Sequence, residues 1–103
     1  MKAADEPKTT PAPPFLLVFT EQYNRRAARP LKRHPDLRQQ YLKTLQVLEV
    51  NPAHPSLRLH PLRGKLDGLH SVSLNLPYRI TLELLIKDGQ IIPVNVGDHD
   101  AVY

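Results

Sequence analysis

The hydrophobic spacing of this chain changes near Pro52, and no other feature constrains its fold as strongly. Before that point, four apolar residues recur at intervals of four, four and three, which places them on one stripe of a helix. They are Leu37, Tyr41, Leu45 and Leu48. After it, apolar and polar residues alternate in short runs, as they do in half-buried strands. Helices followed by strands predict an α+β domain in which the helices cover one face of a sheet.

The segment before this stripe divides into a leader, a strand and a first helix. Residues 1–13 contain three of the eleven prolines and few large apolar side chains, so we expect a disordered leader and a folded domain over 14–103. The apolar run PFLLVF predicts a short buried strand. The first helix is expected to begin with Thr20 as its N-cap and to end by Pro30.

The second helix and the strands carry their own boundary signals. The helix is expected to begin near Pro35, which suits a first helical position, and to end before Asn51. Both helices carry cations away from the apolar stripe, so we expect a basic helical hairpin. Asp88-Gly89 is a strong hairpin signal, and Gly68 ends a similar turn. The prediction is a four-stranded antiparallel meander built from the runs SLRLHPLRG, LHSVSLNL, YRITLELLI and IIPVNV.

Composition limits the class of protein. The chain has 103 residues, enough for one domain, and no cysteine, so neither a disulfide nor a thiolate metal site is available. The longest apolar runs are much shorter than the roughly 20 residues of a membrane span. The first residues lack the apolar core of a secretory signal. We therefore expect a cytoplasmic protein.

Positive charge is concentrated in two blocks. The net charge is +4 and the isoelectric point is near 9.6. Residues 20–43 hold seven lysines and arginines against two carboxylates, and residues 52–66 hold three with two histidines and no carboxylate. Such blocks favour a polyanion or an acidic protein partner, although the first block alone also suits a solvated helix face.

The order of elements and several motifs resemble the RelE/ParE superfamily of type II toxin–antitoxin toxins. The similarity rests on HPLRGKLDG, PYRITLEL, the Asp88-Gly89 hairpin and the ending VGDHDAVY, and it covers roughly residues 15–103. The first and last of these stretches are similar to the YafQ-type branch. The letters YRI and the closing VY are also similar to the RelE branch.

This resemblance implies an activity and a partner. Its RNase members cut mRNA in the ribosomal A site, where the 2′-hydroxyl of the RNA attacks the adjacent phosphate without a metal or other cofactor. A cognate antitoxin binds such a toxin and blocks it. The resemblance leaves two alternatives open: a ParE-like inhibitor of DNA gyrase, and a degenerate, non-catalytic relative that only binds RNA.

The ending carries the first candidate catalytic residues. The resemblance matches His99 to the tail histidine of YafQ-type toxins and Tyr103 to the closing aromatic residue. An imidazole transfers protons near neutral pH, and Asp98 and Asp100 would support it by orienting the ring. These three side chains could also ligate a metal, but neighbours on a strand point to opposite faces, so no metal site is expected. Two plainer interpretations remain open: a surface histidine at His99 and a packing anchor at Tyr103.

Arg79 and His60 complete the expected catalytic set. The resemblance matches Arg79 to the arginine of the RelE-branch YR motif, and a guanidinium can stabilise the charge that develops on a phosphate. Its alternative is an ion pair with Glu83 or with an acid on the next strand. His60 matches the histidine of the YafQ-type HPL stretch, and its cationic neighbours favour the neutral ring that a base requires. The alternative is an edge histidine without a role.

Six further residues are expected to bind RNA. They are Arg58, Arg63, Lys65, His70, Ser73 and Tyr78. The three cations are interpreted as sites for phosphate binding. Where RelE has paired lysines, this chain has HSVSLN, so the assignment of base and acid stays open. Tyr78 lies near the tryptophan of the YafQ-type toxins and is either a stacking surface or a core aromatic, whereas His34 and His54 are expected to be capping or loop residues.

Overall fold

The computed structural model describes residues 13–75 and 77–98 and confirms the predicted α+β class. Within these residues no helix is long and apolar enough to cross a membrane. Predictions for the leader up to residue 12, and for His99, Asp100 and Tyr103, lie outside the described residues. In chain order the elements are β1 (Leu16–Leu17), α1 (Glu21–Arg33), α2 (Pro35–Val50), β2 (His60–Pro61), β3 (His70–Ser73), β4 (Tyr78–Leu85) and β5 (Gln90–Asp98).

Helix α1 begins as expected but ends later. The Thr20 side chain caps it by accepting a hydrogen bond from the backbone N–H of Tyr23 at 3.1 Å. The prediction that the helix ends by Pro30 is wrong, because the helix continues to Arg33. Proline removes one backbone donor, but it can still accept, and the N–H of His34 donates to its carbonyl at 3.0 Å. The extra turn brings the end of α1 directly to the start of α2.

Helix α2 follows the predicted boundaries and buries the predicted stripe. Pro35 occupies a first-turn position, and Asn51 is the C-terminal cap. Leu37, Tyr41 and Leu48 are buried, and Leu45 packs against the same core as a half-buried residue. The spacing alone therefore identified the face of α2 that covers the sheet.

One sheet of five strands forms the other layer, in the order β1-β5-β4-β3-β2. Strands β2 to β5 are the predicted antiparallel meander, and β1 adds a parallel strand beside β5. Gly89, which has φ of +65°, ends the turn between β4 and β5, where a left-handed backbone favours glycine. The core lies between this sheet and the two helices.

Two strand predictions were wrong in extent. The N-terminal strand is two residues long and lies at the sheet edge, with Leu16 61% exposed rather than buried. The first strand of the meander is only His60–Pro61. Residues Pro55–Leu57 form a 3-10 turn instead, and Arg58 leaves it in a left-handed conformation with φ of 50°. Alternation of apolar and polar residues does not distinguish such a turn from a strand.

A register shift bends β5 where it meets β4. Thr81 pairs with Asn95 but the next residue, Leu82, pairs with Pro93, so Val94 has no direct partner. Bulges of this kind increase the local bend of a strand. The carbonyl of Val94 accepts a hydrogen bond from Nη1 of Arg26 on α1 at 3.1 Å. This hydrogen bond connects the first helix to the middle of β5, at the register shift.

Candidate functional site

Arg79 is the centre of a polar cluster on β4. It pairs with Ser73 of β3 on one side and with Gly97 of β5 on the other. Its Nε donates to the hydroxyl of Ser71 at 2.6 Å, and Ser71 is buried. Its Nη2 donates to the carbonyl of Arg58 at 3.2 Å and lies 3.1 Å from Nδ1 of His60. The guanidinium is thus held at two of its three nitrogens.

Nδ1 of His60 lies close to two groups that require different tautomers of the imidazole. A guanidinium has donors and no acceptor, so Nη2 can bond only to a nitrogen that carries a lone pair. A hydrogen bond from Nη2 therefore requires a lone pair on Nδ1 of His60, which is the tautomer protonated on Nε2. The carbonyl of Arg58 lies 3.3 Å from the same Nδ1 and can accept from it only in the other tautomer, in which Nδ1 carries the proton.

The turn before β2 holds the Arg58 carbonyl in place. Nδ1 of His54 accepts from the backbone N–H of Ser56 at 3.1 Å, so His54 is a capping residue, as the sequence predicts. Leu57 anchors the turn in the core, 2% exposed. Arg58 then adopts its left-handed backbone, from which its carbonyl reaches Arg79.

A groove lies on the other side of the sheet, between α1 and the end of β5. Tyr78 and Arg79 are successive residues of β4, so their side chains project to opposite faces. The Tyr78 hydroxyl lies 2.8 Å from Nε2 of His34, and the two ring centroids are 5.2 Å apart. The groove has a volume of about 780 Å³. Its charged and ring-bearing lining residues are Arg25, Arg26, Arg29, Arg33, His34, Tyr78 and Asp98.

The structure brings some predicted site residues together and separates others. Ser73 lies beside Arg79 through strand pairing, and Arg58 joins the cluster through its carbonyl rather than its side chain. The observed partners of Arg79 differ from the Glu83 considered for it, since its three contacts run toward β3, β2 and the turn before β2. Tyr78 packs partly against the core and also lines the groove.

Three predicted RNA-binding residues lie apart from the Arg79 cluster. Arg63 and Lys65 are exposed on the turn between β2 and β3. His70 pairs with Leu82, a core residue, so it projects to the helix side of the sheet. Its Nδ1 is buried and has no hydrogen-bond partner among the described residues.

Sequence reasoning missed the groove and the position of His34 in it. Arg25, Arg29 and Arg33 recur every four residues, so their common helix face is a signal that the sequence does contain. His34 had no comparable signal, because its contact with Tyr78 spans 44 residues. Within the described residues, no three histidine or acidic side chains are placed to hold a metal ion.

The fold is shared with solved structures of several toxins. The chain is similar to YafQ from E. coli, with a TM-score of 0.66 and 20% identity over 86% of this chain and 98% of that one. A metal-bound toxin from Helicobacter pylori gives a TM-score of 0.68 at 19% identity, covering 86% and 99%. A YoeB/ParE toxin from Agrobacterium tumefaciens gives 0.66 at 14%, covering 81% and 96%.

These similarities are structural rather than sequence-based. The sequence matches no protein-family model and no curated protein. The chain is also similar to the structure of YafQ bound to DinJ, which is a toxin–antitoxin complex from E. coli. At such identities the similarities establish the fold alone.

Proposed function

We propose that the chain is the toxin of a type II toxin–antitoxin system and acts as a ribosome-dependent mRNA endonuclease. The observation that carries this proposal is the Arg79 cluster: a guanidinium oriented by Ser71, Arg58 and His60 on the sheet of a RelE/ParE fold. A rigidly oriented cation is what the cleavage of a phosphodiester requires, because negative charge develops on the phosphate oxygens. The exposed cations of the β2–β3 turn would bind further phosphates.

The contacts of the cluster suggest a role for each side chain in the reaction. In the reaction a base takes the proton of the 2′-hydroxyl, the 2′-oxygen attacks phosphorus, and the 5′-oxygen leaves with a proton from an acid. The hydrogen bonds of Arg79 use Nε and Nη2, so we assign Nη1 to the phosphate. In the tautomer that accepts from Arg79 on Nδ1, the Nε2 atom of His60 carries the proton. We therefore assign His60 as the acid and His99 as the base.

An antitoxin protein is the proposed partner. DinJ binds YafQ in the complex that is similar to this chain. The basic helices offer complementary charge for an acidic partner. An antitoxin would restore translation when it is added with the toxin.

A cell-free translation assay tests the proposal. The wild-type chain should inhibit synthesis, and primer extension on the translated mRNA should detect cuts in phase with codons. Arg79→Ala and His99→Ala should each reduce cleavage by about 10²–10³-fold, the cost of removing a group that stabilises the transition state or transfers its proton. Arg38→Ala is the matched control, since Arg38 is an exposed arginine on α2 away from the cluster.

The outcome separates the proposal from its alternatives. Full cleavage by both Arg79→Ala and His99→Ala, with native circular dichroism, would show that these residues are not catalytic. Translation that proceeds normally while DNA supercoiling is inhibited would contradict the endonuclease and identify a gyrase inhibitor. RNA binding without any cut would identify a degenerate relative.

A further inference from the structure

The groove between α1 and β5 has no part in the chemistry described above. It lies across the sheet from the Arg79 cluster, and the two meet at the start of β4, where Tyr78 faces one and Arg79 the other. Four arginines line it, against one described carboxylate, Asp98. A surface with this charge is suited to an anionic ligand.

The arginines form a regular row. Arg25, Arg29 and Arg33 are exposed and follow one another at four-residue intervals, so each lies about 6 Å further along α1. Arg26 is held at the groove by its bond to the Val94 carbonyl. A row of evenly spaced cations matches a ligand that carries evenly spaced negative charges, as a nucleic-acid backbone does.

Two rings lie among these cations. The hydroxyl of Tyr78 and Nε2 of His34 are 2.8 Å apart, and the rings are inclined at 52°. This contact restricts the rotation of Tyr78, so little conformational freedom is lost when another ring stacks on it. Cations that follow a backbone together with rings that accept bases are the usual means of binding single-stranded nucleic acid.

We propose that this groove binds the single-stranded RNA segment adjacent to the one cleaved at Arg79. The proposal rests on the proposed function, which makes RNA the substrate. Because Tyr78 and Arg79 are neighbours on β4, a strand that crosses the end of the sheet contacts both sites in succession. An acidic peptide could pair with the arginines, but it would make no use of the rings.

Fluorescence anisotropy with a short labelled oligouridine measures this binding without any cleavage. We compare the double variant Arg25→Ala/Arg29→Ala with Arg38→Ala/Lys43→Ala, which removes the same charge from the exposed surface of α2. The groove variant should lower the slope of log affinity against log salt by about 1.4, because each phosphate neutralised on a single strand contributes about 0.7. The α2 variant should leave the slope nearly unchanged.

The rings are tested separately from the charge. Tyr78→Leu should weaken oligouridine binding about tenfold, whereas Tyr78→Phe, which keeps the stacking surface, should retain most of it. The Arg79→Ala variant should still bind oligouridine in the groove although it no longer cleaves mRNA. Loss of cleavage and loss of groove binding are therefore distinguishable.

Three results would overturn the inference. The first is an equal decrease of slope in both double variants, which would indicate general charge attraction. The second is full binding by Tyr78→Leu. The third is competition by a polyglutamate peptide that is as effective as unlabelled oligouridine, which would identify an acidic protein segment as the occupant.

Discussion

Arg58 contributes to the candidate site through its backbone. It has a positive φ of 50°, a conformation that costs an L-residue roughly 1–2 kcal/mol. Strained residues of this kind persist where the surrounding structure fixes them. Here the buried Leu57 and the cap at His54 fix the turn, and the Arg58 carbonyl accepts from Arg79. The sequence marks Arg58 only as a cation, whereas the structure gives its carbonyl a positioning role.

The effect of a substitution at Arg58 on the free energy of unfolding should depend on the backbone conformation at that position rather than on loss of the arginine side chain. Arg58→Val should lower the free energy of unfolding by about 1–2 kcal/mol, because a β-branched residue is disfavoured at positive φ. Arg58→Gly should leave it within about 1 kcal/mol, since glycine accepts this conformation but gains entropy in the unfolded chain. Urea denaturation measures both.

The same two substitutions at Arg63 provide the control. Arg63 is exposed and extended, with φ of −128°. Valine accepts this conformation, so the order of stability should reverse there, with glycine the less stable. If the free energies of unfolding of the valine and glycine variants differ by the same amount and in the same direction at both positions, the left-handed backbone of Arg58 has no influence on stability.

At the scale of elements, the continuation of α1 through Pro30 sets the length of the groove between α1 and β5. If the helix ended at the proline, Arg33 would not continue the row of arginines, and His34 would not follow it at the end of the helix, near Tyr78. The helix continues because the carbonyl of Pro30 still accepts from His34 and the adjoining α2 packs on the core. Tertiary packing thus outweighs the local tendency of Pro30 to end the helix.

Pro30→Ala should stabilise the protein. The substitution restores a backbone donor and removes the clash of the ring with the preceding turn, so the free energy of unfolding should rise by about 2 kcal/mol after allowance for the more flexible unfolded chain. Pro35→Ala is the matched control, because Pro35 occupies a first-turn position of α2 where proline costs little. Chemical denaturation measures both variants. The prediction is contradicted if Pro30→Ala does not raise the free energy of unfolding, or if Pro35→Ala raises it by the same amount.

At the scale of the molecule, one buried polar contact joins the two helices. The hydroxyls of Tyr23 and Tyr41 are 2.8 Å apart, and both side chains are buried, 1% and 8% exposed. Burial disfavours the phenolate and raises the pKa of both above the ordinary value of 10.0. The hydrogen bond satisfies two polar atoms that would otherwise be unpaired in the core.

The raised pKa of this pair predicts a loss of stability at alkaline pH. In the unfolded chain both tyrosines release their protons near pH 10, whereas in the folded protein they keep them. The unfolded state therefore binds fewer protons above pH 10, and the free energy of unfolding should fall by up to about 1.4 kcal/mol per pH unit for each tyrosine. Below pH 10 the contribution should be complete.

Urea denaturation at several pH values between 8 and about 11, with absorbance of the phenolate, measures this effect. The double variant Tyr23→Phe/Tyr41→Phe should lose most of the alkaline slope, while Tyr78→Phe, a change at a half-buried tyrosine, should keep it. An unchanged slope in the double variant would mean that the pair does not control alkaline stability.

Patterns in the sequence were enough to predict the fold class, the apolar stripe of α2, the cap at Thr20 and the antiparallel meander. Each of these depends on spacing or on neighbours in the chain, which are local properties of a helix, a strand or a turn. Arg79, Ser73 and His60 were indicated by the resemblance of their motifs to a toxin family, and strand spacing alone would not have singled them out.

The partners that these residues contact depend on how the elements pack together. The bond of Arg79 to the Arg58 carbonyl spans 21 residues, and that of Tyr78 to His34 spans 44. Such contacts depend on how β2 and the helix junction pack against β4, and no periodicity encodes them. For the same reason the groove beside α1 became visible only when the helix and the end of β5 were placed together.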